Sequence, residues 1–278
     1  MRKLIISAIL SLCFPLLAHA QTAPSQAAGY NLVWQDAFST LNLCKTNIAG
    51  CNWYQSGVSN WPSEGAITDP SGTYANINWT SGQGSGITVM STAANNVAHF
   101  HAWDLPVYIE ISMAFNPVTG NWPAILLSSI SNGGNPTYTG GEADMFEWDS
   151  TSPTWFQSTL HVWVNGTDTG SETIHPAPAG ITWSNFNTYG LLWTSTQMCS
   201  YLNNVLMGCQ SITSAPFNTV FAGQESYFLV LSEQEGCAGS SSCPGQASPL
   251  NMQVKWVHVF DGLSGSQMRG FQRGTVMQ

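Results

Sequence analysis

Residues 106–115 of this chain alternate without a break. Val107, Ile109, Ile111, Met113 and Phe115 fall on one face, and Tyr108, Glu110 and Ser112 on the other. A period of two belongs to a strand, because successive side chains of a strand point to opposite faces. Runs of this kind recur from Tyr30 onward, always short and always bounded by Gly, Pro, Asn or Ser, while few windows hold a helical period. Short strands with frequent turn signals pack as a sandwich or a barrel. No repeat of fixed period and no internal linker divides the chain, and large all-β domains often run to this length. One all-β domain over residues 30–262 is therefore expected.

Residues 140–147 are the chemically unusual part of that domain. Glu142, Asp144 and Glu147 fall within six positions of a chain that is only 8% charged. On a regular strand Glu142 and Asp144 share a face, and Phe146, not Glu147, joins them. One extra residue, a β-bulge, restores Glu147 to that face and drops Ala143 and one of Met145 or Phe146 into the core. A solvated acidic edge is a poor alternative, since Met145, Phe146 and Trp148 do not suit a solvent-exposed segment. Paired carboxyl groups are what glycoside hydrolysis uses, one as nucleophile and one as proton donor. A straight strand would hold the two glutamate backbones about 13 Å apart, so curvature, bulge and side-chain lean have to bring the carboxyls together.

The string Glu142-Ala-Asp-Met-Phe-Glu147 resembles the signature of the family-16 glycoside hydrolases, in the longer spacing of their laminarinase and agarase branches. Other stretches resemble the same family in the same order. These are Asp36-Ala-Phe38, Gly120-Asn-Trp-Pro-Ala124, the Thr-x-His strand through Thr159 and His161, the Tyr-x-x-x-Trp stretch ending at Trp193, and the closing run 252–260. The resemblance implies a concanavalin A-like β-sandwich jelly roll, two antiparallel sheets with a concave substrate cleft. It also implies Glu142 as nucleophile, Asp144 as its assistant, and Glu147 as general acid and base. The expected activity is retaining endo-hydrolysis of a neutral β-glucan, with β-1,3 or mixed β-1,3/1,4 links. Transglycosylation or an agarase-like galactanase activity on the same fold, or a non-catalytic lectin-like protein, are the alternatives. Trp122, Tyr138, His161, Trp163 and Trp193 are the expected substrate contacts, and Trp148 is expected in the core. Leu126 stands where the family carries a second tryptophan, and Lys255 where many members place an aspartate ligand to a structural calcium. No metal and no cofactor are expected, since an ammonium cannot ligate calcium.

The remaining features bear on where such a protein works. Residues 1–20 read as a secretory signal: Arg2 and Lys3, then an apolar run to Leu17, then Ala18-His-Ala20. The apolar run is too short to span a bilayer, so no membrane anchor is expected and the protein should be secreted, extracellular or periplasmic. Residues 21–29 read as a flexible leader and 263–278 as a C-terminal tail. Without residues 1–20 the net charge moves from −9 to −11, because the signal holds two of six basic residues and none of the 15 acidic ones. So acidic a chain does not hold nucleic acid through phosphates, and it suits a neutral polysaccharide better than a sulfated one. A monomer is expected. Beyond Cys13, six cysteines form three close pairs, Cys44 with Cys51, Cys199 with Cys209, and Cys237 with Cys243. Neighbour pairing as disulfides is one of 15 possible connectivities. The pair around the turn at Asn203-Asn204 is the best supported.

Overall fold

The computed structural model describes residues 22–45, 48–55, 63, 65–80, 86–94, 100–129, 140–223, 225–236 and 247–262. The expected signal over 1–20, Tyr138, Cys237 with Cys243, and the tail 263–278 lie outside the described residues. Among the described residues no helix is long and apolar enough to cross a membrane.

The strands in chain order are β1 Asn31–Asp36, β2 Leu43–Cys44, β3 Trp53–Tyr54, β4 Ala66–Thr68, β5 Ala75–Trp79, β6 Ile87–Ser91, β7 Val107–Phe115 and β8 Asn121–Ser129. They continue as β9 Gly140–Glu147, β10 Trp155–Val164, β11 Thr167–Pro176, β12 Asn187–Trp193, β13 Gln197–Leu202, β14 Val205–Ser211, β15 Tyr227–Glu235 and β16 Leu250–Asp261. One sheet runs β14-β13-β12-β7-β16-β5-β4, with β1 also on β16; the other runs β11-β10-β9-β8-β15-β6-β3-β2. All pairings are antiparallel except β2 with β3. This is an antiparallel two-sheet sandwich, one of the two architectures expected from the alternation and the jelly roll that the family resemblance implied.

The core lies between the sheets. From β7, the alternating set Val107, Ile109, Ile111, Met113 and Phe115 faces it, together with Tyr189, Leu191 and Trp193 of β12 and Val257 and Val259 of β16. Ile125 and Leu127 of β8 and Leu229 and Leu231 of β15 meet them from the other sheet. Each such side chain, fully buried, contributes about 1.5–3 kcal/mol.

Strand β9 departs from regular pairing at one point. Asp144 pairs with Leu126 and Thr159, whereas the next paired residues are Phe146 with Ile125 and Glu147 with Gln157. Met145 is the extra residue of a β-bulge, and it and Phe146 both turn into the core, at 2% and 0% exposure. Phe146 lies 5.1 Å from Phe156, 4.5 Å from Tyr189 and 6.0 Å from both Phe115 and Trp183, ring centre to ring centre. Trp148 is in the same cluster, 5.0 Å from Phe115. The bulge is thus anchored from below by aromatic packing. Phe146→Ala should cost about 3–5 kcal/mol, read as a lower urea midpoint with an unchanged slope. At the start of the strand, a Cβ on Gly141 would come within 2.3 Å of the Tyr227 hydroxyl. Glycine there lets Tyr227 and Phe221 close against the backbone.

Among the described residues two disulfides are formed, Cys44–Cys51 and Cys199–Cys209, the second joining residues directly opposite on β13 and β14. Asn203 and Asn204 make the intervening turn at φ 49° and 66°, the positive values a two-residue hairpin needs. The segment read as a flexible leader is packed in its described part. Ala27 is buried beside Tyr108 and Phe260, and the Gln26 amide donates to the Tyr108 hydroxyl at 2.6 Å. Lys255 falls at a register shift in β16, with its ammonium 5.7 Å from the centre of the Phe186 ring. A cation at the place of a calcium ligand does not fit that metal.

Candidate active site

The concave face of the second sheet is built by β8, β9, β10, β15 and β6. Parity on β9, corrected by the bulge, sends Glu142, Asp144 and Glu147 to this face. They line a cleft of about 320 Å³ with Ile87, Ala124, Leu126, His161, Ser232 and Gln234. Glu142 and Glu147 keep an edge open to the cleft, while Asp144 is 5% exposed.

Each acid has a distinct set of neighbours. The Trp122 indole N–H donates to Oε1 of Glu147 at 3.1 Å, and the Gln157 amide donates to Oε2 at 3.0 Å. Nε2 of His161 lies 3.1 Å from Oδ2 of Asp144. One donor atom each from Glu142, Asp144 and His161 lies within 4.8 Å of the others. Such a trio could hold a cation, but Nε2 of His161 is already engaged with Asp144, and hydrolysis by paired carboxyl groups needs no metal.

Burial, and then the charge of Asp144, push Glu142 up to about 8; burial and then Asp144 push Glu147 up to about 7, against the hydrogen bonds from Gln157 and Trp122. Burial also raises Asp144, against the hydrogen bond and charge of His161. For His161 burial acts downward, yet the contacts with Asp144 and Asp168 overcome it and raise the imidazole to about 10. The two glutamates titrate as one system. Between the two steps they share a single proton, the state that offers one carboxylate and one carboxylic acid together.

The expected substrate contacts divide. Trp122 borders Glu147 as a hydrogen-bond donor. His161 reaches Asp144, and half-buried Trp163 lies beside it with nearly parallel rings, 5.9 Å between centres and 18° between planes. Tyr138 is outside the described residues. Trp193 is a correction: it is fully buried, its N–H donates to the Phe221 carbonyl at 2.9 Å, and its ring meets the edge of Tyr227 at 4.6 Å. Its strand belongs to the opposite sheet, where the same parity faces the interior. Sequence reasoning missed Gln157, which shares the parity of Thr159 and His161 and needed only that pattern carried back two residues. It also missed Asp168. The signal for Asp168 was Asn165-Gly166, a two-residue hairpin turn with φ of 49° and 78°, which folds β11 back along β10.

Parts of the chain are similar to known proteins. Residues 106–224, which include all three acids, match the sequence model of Glycosyl hydrolases family 16. A curated relative, the keratan-sulfate endo-1,4-beta-galactosidase of Sphingobacterium multivorum, is 23% identical over 155 residues, 55% of this chain and 36% of that protein. The chain thus spans about a third of the length of the relative it matches. The endo-beta-1,3-glucanase of Pyrococcus furiosus superposes with a TM-score of 0.61 at 16% identity, over 85% of this chain and 96% of that one. The GlcNAcα1-4Gal releasing endo-β-galactosidase of Clostridium perfringens does so with 0.63 at 16%, over 88% of this chain and 66% of that one. At these identities the structural likeness concerns the fold.

Proposed function

We propose that the protein is a retaining endo-glycoside hydrolase of family 16, whose sequence model residues 106–224 match, and that it acts on a neutral polysaccharide. The observation that carries this reading is the bulge at Met145, which brings Glu142, Asp144 and Glu147 onto one cleft wall. Glu142 attacks the anomeric carbon and forms a glycosyl-enzyme. Glu147 gives its proton to the leaving oxygen, then takes one from the water that releases the sugar. The division of roles is taken from the resemblance of Glu142-x-Asp-x-x-Glu147 to the family-16 signature; burial raises both acids, His161 favours the ionised form of Glu142, and the Trp122 and Gln157 donors oppose the rise of Glu147. Asp144 holds the negative charge between them. The paired disulfides support export to an oxidising compartment.

A β-glucan with β-1,3 or mixed links is the proposed substrate. Among the described residues the cleft lining includes three carboxyls and no lysine or arginine, which disfavours sulfated chains. A second reading, an endo-β-galactosidase, is favoured by the curated relative. A product profile separates them. Oligosaccharides of intermediate length should accumulate from laminarin or mixed-linkage glucan, with none from agarose or desulfated keratan. The reverse pattern assigns the galactosidase, and no release from any of them removes the hydrolase reading.

A further inference from the structure

We propose that Asp168 is a positioning residue of this site, holding His161 so that its far nitrogen serves Asp144. The inference rests on the hydrolase reading only for its effect on turnover; the contact itself is independent of it. Asp168 lies on β11, opposite Trp163, and His161 is opposite Gly170. The aspartate is therefore a diagonal cross-strand neighbour of the histidine, within reach for a leaning side chain. Its Oδ2 is 2.7 Å from Nδ1 of His161, and Nε2 of the same ring is 3.1 Å from Oδ2 of Asp144. A Cβ built at Gly170 would stand 3.5 Å from Nδ1 of His161 and 3.5 Å from Oδ2 of Asp168, in ordinary contact, so the backbone opposite His161 leaves room for the pair.

The donor count explains what the arrangement does. An ionised carboxylate only accepts, and a neutral imidazole has a single N–H. Two carboxylates on one ring thus require both nitrogens to carry hydrogen, which makes His161 an imidazolium. Facing it are Glu142 and Asp144 from β9 and Asp168 from β11, with Trp163 alongside on its own strand. Among the residues lining the cleft it is the one group that can carry positive charge. Asp168 contributes by fixing the ring and by adding negative charge at the nitrogen that faces away from the reaction. If Asp168 is neutralised, His161 releases its proton more readily. Asp144 then loses its donor, and Glu142 loses the charge that favours its ionised form.

The test uses the full chain and two variants, Asp168→Asn and Asp168→Glu. Side-chain nitrogen NMR follows protonation of His161 from about pH 5 to about pH 11, past the wild-type midpoint, and steady-state kinetics use whichever glycan the wild type hydrolyses. In Asp168→Asn the histidine should lose its proton at least one pH unit lower, with kcat down about tenfold and KM within about twofold. Asp168→Glu should restore most of kcat. An unchanged His161 titration in Asp168→Asn, or a kcat loss that Asp168→Glu leaves in place, overturns the proposal. A wild type inactive on every glycan would refute the hydrolase reading, while the titration still decides whether Asp168 holds His161.

Discussion

Glu142→Gln is expected to lower kcat by about 10⁴-fold or more while the protein stays folded. The amide matches the carboxylate in shape but cannot attack carbon. The backbone at this position pairs with Ser128 on one side and His161 on the other, and neither pairing involves the side chain. Stability gives an independent sign. Because Glu142 is raised to about 8 in the folded protein, its contribution is fully present below its unfolded value and is lost as pH rises towards 8. The variant should therefore melt like wild type near pH 4 and above it at pH 8. Hydrolysis retained at more than about one hundredth of wild type would remove Glu142 from the nucleophile's role.

Glu147→Gln is expected to lower kcat by about 10²–10⁴-fold on a polysaccharide. The loss should be much smaller on an aryl glycoside, whose leaving group needs little protonation. The wild-type profile of kcat/KM should be bell-shaped, highest between about 7 and 8, the values that frame the singly protonated pair. The acid limb is the gain of a second proton by the Glu142–Glu147 pair, and the alkaline limb is the loss of the shared proton, which Glu147 has to hold when it delivers it. The variant has no such proton, so its residual activity should keep the acid limb and lose the alkaline one. The substitution also disturbs local bonding. The new amide oxygen can accept from Trp122, but the new N–H₂ would face the Gln157 donor, so Gln157 has to flip its own amide. An alkaline limb that persists in Glu147→Gln would assign the proton to another group.

Much of this architecture was legible from alternation alone. The parity of residues 107–115 located the core face of β7, and the same rule set Thr159, His161 and Trp163 on one side of β10. The bulge was legible for a different reason: three acids cannot share a face at that spacing unless one residue drops out of register. That Met145 and Phe146 both turn inward was not, since it depends on the pocket formed by Phe115, Phe156, Trp183 and Tyr189, residues distant in sequence. Trp193 shows the limit of the method. Period two tells which residues share a face but not which face meets the other sheet, and β12 belongs to the sheet without the cleft. Asp168 was missed because its place follows from a hairpin register, which sequence periodicity does not carry across a turn.

The bulged strand aiming a nucleophile at position 142 is the central claim, and covalent capture tests it most directly. The protein would be incubated with an activated 2-deoxy-2-fluoro glycoside of the sugar it hydrolyses, digested, and the labelled peptide sequenced by mass spectrometry. The expected result is one added glycosyl mass on Glu142, with inactivation in step with labelling. A label on Asp144 or Glu147, or hydrolysis by a protein that takes no label and releases the inverted anomer first, would contradict the account.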